Sequence, residues 1–121
     1  MLTAFIIILA HFVADFLLQT DKMALNKSKS NYWLTMHVLA YTAGMALFTV
    51  YMVVFEAQNW LLAAKWLGIN ACLHWLTDFN TSRLTSILWQ RGQRHWFFVA
   101  IGFDQVVHYA CLMGTYAWLT T

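Results

Sequence analysis

Residues 32–55 read YWLTMHVLAYTAGMALFTVYMVVF, twenty-four residues without one aspartate, glutamate, lysine or arginine. An α-helix rises about 1.5 Å per residue, so this run reaches about 36 Å. That is enough to cross a hydrocarbon layer of about 30 Å. Three further apolar runs flank it, from about Leu2 to Gln19, Trp60 to Phe79 and Trp96 to Leu119. All four are continuous, whereas barrel strands alternate over about ten residues. The expected fold is therefore an all-α membrane protein. One domain, residues 1–121, forms an antiparallel bundle of four transmembrane helices.

Composition supports this reading. The chain has 121 residues, 61% of them hydrophobic and 10% charged, and no proline. A soluble domain usually carries roughly 25% charged residues, so this chain has too little polar surface for a water-exposed fold. The expected partner is the lipid bilayer, with a membrane-protein complex or homo-oligomer as a further option. The basic loops read as topology signals, so nucleic acid is not an expected partner. No phosphate-cradling glycine loop or Ser-His-Asp context is present.

Orientation follows from charge. The first loop carries Lys22, Lys27 and Lys29, and the third carries Arg83, Arg91 and Arg94. The second holds only Glu56. Lysine and arginine accumulate in cytoplasmic loops, which places loops one and three inside and both termini outside. Thr81 to Gln93 is expected to be a mobile, partly helical segment at the interface. The start of the chain lacks the basic region and cleavage site of a signal peptide. Trp33, Trp60, Trp75, Trp96 and Trp118 fall near the span ends, as an aromatic belt does. Cys72 and Cys111 read as packing residues, too different in depth to pair. His95 reads as an interfacial residue outside any site.

The apolar runs are interrupted in a regular way. His11 and Asp15, His37 and Tyr41, His74 and Asp78, and Asp104 and His108 are each spaced i, i+4. Each pair lies on one helix face. Ionisable groups inside a membrane are costly and point to function. Alternating helix direction brings all four pairs into the cytoplasmic half, giving the bundle a polar His/Asp core.

Asp15, Asp78 and Asp104 carry three negative charges into that core, with Lys22 the only cation expected nearby, at the rim. Buried carboxylates must be paired, protonated or metal-bound. Imidazole and carboxylate ligands suit zinc, iron, manganese or nickel. The expected metal ligands are His11, Asp15, His74, Asp78, Asp104 and His108, with catalysis assigned to Asp15, His74, Asp78 and Asp104. Gln19, Lys22, His37, Tyr41 and Gln105 are expected to support them or to contact substrate. The leading function is metal-dependent hydrolysis of a lipid-linked or amphiphilic substrate. The competing class is a non-enzymatic membrane module whose His–Asp network is structural, relays protons, or binds haem through His37, His74 and His108.

Four segments also resemble a known family. HFVADFLLQTDKMALNK (11–27), HVLAY (37–41), HWLTDF (74–79) and FDQVVHY (103–109) are similar to the small membrane proteins grouped as domain of unknown function 3307. The resemblance covers nearly the whole chain. It implies an integral membrane protein of bacteria or their phages, here in the inner membrane with periplasmic termini. It adds Phe16 to the motif residues but implies no activity.

Overall fold

The computed structural model describes every residue from Met1 to Thr121. The chain is all-α, and four of its helices pack as an up-down-up-down bundle. Helix α1 (Leu2–Phe12) runs into a π-helical turn (Val13–Leu17), followed by a short α2 (Asp21–Asn26). Three long helices complete the chain, α3 (Asn31–Phe55), α4 (Trp60–Gln90) and α5 (Arg94–Thr120).

Local chemistry sets these boundaries. The Thr20 side chain accepts a bond from the Met23 backbone N–H at 3.3 Å and caps α2. Asn59 likewise caps α4, accepting from the Leu61 N–H at 2.6 Å. Side-chain caps of this kind satisfy donors that the first helical turn leaves unpaired. Gly92 ends α4 with a φ of 71°, in the left-handed region that only glycine enters freely. Between Gly68 and Gly92 there is neither glycine nor proline, so nothing breaks the helix. This corrects one expectation. The segment from Thr81 is not a separate mobile interfacial piece but the last turns of a 31-residue helix, and the third connection shrinks to Arg91–Gln93. The first run also differs from a plain helix, because its end is the π turn.

Helices α3 and α5 are long and apolar enough to cross a membrane, and Leu2–Leu17 is apolar but shorter. Helix α4 is longer than any of them. Its core face carries Asn70, His74, Asp78 and Ser82, which lowers its hydropathy.

The interior divides into two halves. At the Glu56 end, Ile7, Met45, Phe48, Met52, Trp66 and Leu112 form an apolar core. Trp66 donates its indole N–H to the Leu112 carbonyl at 3.2 Å, so its one polar atom is satisfied. Glu56 accepts hydroxyl bonds from Thr3 and Tyr116, tying α1 and α5 to the α3–α4 connection. At the basic end the interior is polar. Nine of the 22 buried residues are polar or charged, while Leu47, Val54, Phe98, Phe103 and Val106 lie exposed outside. Interior and surface are thus reversed relative to a soluble bundle.

Candidate metal centre

Four helical segments deliver the polar side chains. The π turn supplies Asp15, α3 supplies His37 and Tyr41, α4 supplies His74 and Asp78, and α5 supplies Asp104, Gln105 and His108. The backbone of α3 meets the π turn closely. A Cβ on Gly44 would stand 2.9 Å from Ala14 Cβ and 2.8 Å from Leu18 Cδ1. Glycine is needed there so that Asp15, next to Ala14, reaches the interior.

Asp15 Oδ1, His37 Nε2, His74 Nε2 and Asp78 Oδ2 converge. His37 Nε2 stands 3.0 Å from Asp15 Oδ1, 3.1 Å from Asp78 Oδ2 and 3.1 Å from His74 Nε2. His74 Nε2 stands 3.4 Å from Asp15 Oδ1 and 3.5 Å from Asp78 Oδ2. A tetrahedral ion with bonds of 2.0–2.2 Å has ligand–ligand edges of about 3.3–3.6 Å. Five of the six edges are thus within a few tenths of an ångström of that figure. All four residues are buried. Asp15 Oδ1 nevertheless has no hydrogen-bond partner, although two imidazole nitrogens stand beside it. The atoms aim at a common centre rather than at one another, and their donor set fits a divalent ion.

Around these four lies a directed set of hydrogen bonds. Gln105 Nε2 donates to Asp104 Oδ2 at 3.0 Å, which turns Gln105 Oε1 toward His11 Nε2 at 2.9 Å. An amide oxygen only accepts, so His11 Nε2 carries a proton. His11 Nδ1 is then the acceptor, and it faces the Tyr41 hydroxyl at 3.5 Å. The Tyr41 ring also stacks on His74, with centroids 3.8 Å apart. Thr81 Oγ1 donates to the other Asp104 oxygen at 2.5 Å.

The sequence-derived residues therefore separate. His37, expected to orient the site, lies among the four convergent ligand atoms. His11, expected as a ligand, lies outside them with its Nε2 proton given to Gln105. Asp104 and His108 form a second group with Asp78. Gln19 and Gln105 line a cavity of about 180 Å³ beside the centre. Lys22 is exposed and does not reach it. The residue that does is Lys27, whose ammonium donates to Asp78 Oδ2 at 3.0 Å. This corrects the expectation that Lys22 would be the cation at the rim. Burial opposes the charge on Lys27, but Asp78 and Asp15 outweigh it and hold its pKa above the ordinary lysine value of 10.5. Its spacing gave no sign of this, because the turn that carries it inward belongs to α2 and not to the polar stripe of α1. Cys72 and Cys111 are free thiols, and His95 is exposed, away from the centre.

No curated protein and no solved structure matches the chain. A family model described as Protein of unknown function (DUF3307) matches residues 2–121, and the chain belongs to that family.

Proposed function

We propose that this protein crosses the bacterial inner membrane four times and binds a divalent metal through Asp15, His37, His74 and Asp78. In this reading the metal serves hydrolysis of a lipid-linked or amphiphilic substrate reaching the centre from the cytoplasmic side. One observation carries the proposal. Four buried ligand atoms, drawn from the π turn, α3 and α4, sit at the mutual spacing of a tetrahedral ion.

The membrane assignment is supported by the apolar exterior and by the charges. Up-down-up-down packing puts Lys22, Lys27, Lys29, Arg91 and Arg94 at one end and Glu56 at the other. Under the positive-inside rule the basic end is cytoplasmic and both termini are periplasmic. Reporter fusions at Thr121 and near Lys29 should therefore fall on opposite sides, and a cytoplasmic C-terminus would refute the arrangement.

A divalent ion here would supply Lewis acidity and a more acidic bound water. Asp15 and Asp78 would offset its charge, and Tyr41 would fix the His74 ring by stacking on it. Lys27, at the edge of the cavity, would meet an anionic part of the substrate.

The test is elemental analysis of protein purified in detergent. Zinc, iron, manganese or nickel should appear at a fixed ratio to protein, and His37→Ala or His74→Ala should lose it, while Lys22→Ala should retain it. Metal-free protein whose melting temperature ignores chelators would overturn the proposal. It would support the second reading, a structural His–Asp network. The Lys27–Asp78 ion pair favours that reading, since it neutralises one buried carboxylate without metal.

A further inference from the structure

His108 is buried, and its two ring nitrogens have distinct surroundings. Nδ1 stands 2.7 Å from the backbone carbonyl of Asp104. A carbonyl only accepts, so Nδ1 carries the proton of that bond. Nε2 is left without a hydrogen-bond partner, 3.3 Å from Asp78 Oδ1. A neutral imidazole would aim its Nε2 lone pair at a carboxylate oxygen, which is repulsive unless a cation lies between them. Nδ1–H donated to a carbonyl, with Nε2 free, is the arrangement by which proteins orient a metal-binding histidine.

Asp104 completes the group. One ligand atom from each of Asp78, Asp104 and His108 lies within 4.8 Å of the others. Thr81 and Gln105 hold the two Asp104 oxygens in place. Asp78 thus offers Oδ2 to the four-ligand centre and Oδ1 to this one. A carboxylate can bridge two ions in this way, and hydrolytic two-metal sites hold their ions about 3.5–4 Å apart.

We infer that a second divalent cation binds between Asp78 Oδ1, Asp104 and His108 Nε2, making Asp78 the bridge of a binuclear centre. The inference rests on the proposed metal site at Asp15, His37, His74 and Asp78. The two positions differ in kind. Four protein ligands close the first, as in structural sites, whereas three leave the second open, as in catalytic ones. The open position faces the cavity lined by Gln19, Lys27, Thr81 and Gln105. Charge indicates what enters there. Two divalent ions and Lys27 exceed the three carboxylates by two positive charges, which a phosphoryl group would offset.

The experiment is a titration of metal-depleted, detergent-solubilised protein with Mn²⁺, with and without inorganic phosphate. Two ions should bind per chain, the weaker one more tightly with phosphate. His108→Gln and Asp104→Asn should each lower the ratio from two to one. One ion per chain in the wild type under both conditions overturns the second position and leaves the first intact. No bound metal overturns both. Should the variants misfold, paramagnetic resonance of the fully loaded wild type decides. A spin-coupled spectrum is expected, and the spectrum of isolated Mn²⁺ ions would overturn the bridge.

Discussion

Lys27→Met tests whether the lysine and the metal compete for Asp78. The ammonium stands 3.0 Å from Asp78 Oδ2, with its side chain 20% exposed and that of Asp78 2% exposed. An ion bonded to the same oxygen would lie about 4 Å from Nζ, given bonds near 2.1 Å. At an effective dielectric of about 20, that repulsion is about 8 kcal/mol for a divalent ion. Breaking a buried pair costs about 3–5 kcal/mol, and partial exposure puts this one near the lower end. Repulsion is the larger effect, so metal binding should swing Lys27 out into the cavity, at a cost of about 3 kcal/mol. Lys27→Met removes that cost, which corresponds to about 100-fold tighter binding. By linkage, the metal-depleted variant should be less stable by the same amount, with little change when metal is bound. Zinc titration calorimetry and thermal denaturation with and without chelator read the two halves of this cycle. Altering the pH does not imitate the substitution. A lysine pKa raised by its partners gives a contribution that is fully present below the ordinary lysine value and lost only as pH rises through the folded one. Lys27 thus stays charged throughout the neutral range. Unchanged or weaker zinc affinity in Lys27→Met would refute the competition, and Lys22→Met should be silent in both assays.

Gly44→Ala should lower the melting temperature by an amount equivalent to about 1–3 kcal/mol and reduce metal content, because the new methyl presses on Ala14 beside Asp15. Unchanged values would show that the π turn yields freely. Tyr41→Phe keeps the ring on His74 and removes only the hydroxyl facing His11. Metal stoichiometry should therefore hold, with affinity falling by no more than about tenfold. Tyr41→Ala, which removes the stacked ring, should be worse, and equal effects of the two in a metal titration would count against a positioning role for the ring.

The bundle is legible because membrane helices announce themselves by long uncharged runs, and the i, i+4 spacing places each polar pair on a face. The convergence of Asp15, His74, Asp78, Asp104 and His108 follows from helix direction alone. The exchange of His11 and His37 does not. Both lie on inward faces, and only side-chain geometry shows that Gln105 takes the His11 Nε2 proton. Lys27 is hidden for a different reason. Its position depends on how residues 18–30 fold back over the bundle, and no periodicity encodes that return. Hydropathy understates the length of helix α4 because its last turns carry Arg83, Gln90 and several hydroxyls. Those residues end the apolar signal without ending the helix.

The π turn makes the site sensitive to chain length as well as to residue identity. A π turn holds one residue more than the α-helical turn it replaces, and each residue of an α-helix advances the chain by about 100°. Deleting any one residue between Val13 and Leu17 would let an uninterrupted α-helix form, rotating the downstream residues by about that angle relative to α1. His11 and Asp15 would no longer be presented to α3 and α4 together. Outward-facing positions such as Phe12 and Phe16 can accept many apolar side chains, yet none of the five π residues can be lost. For this centre a one-codon deletion among non-ligands is as damaging as replacing a ligand.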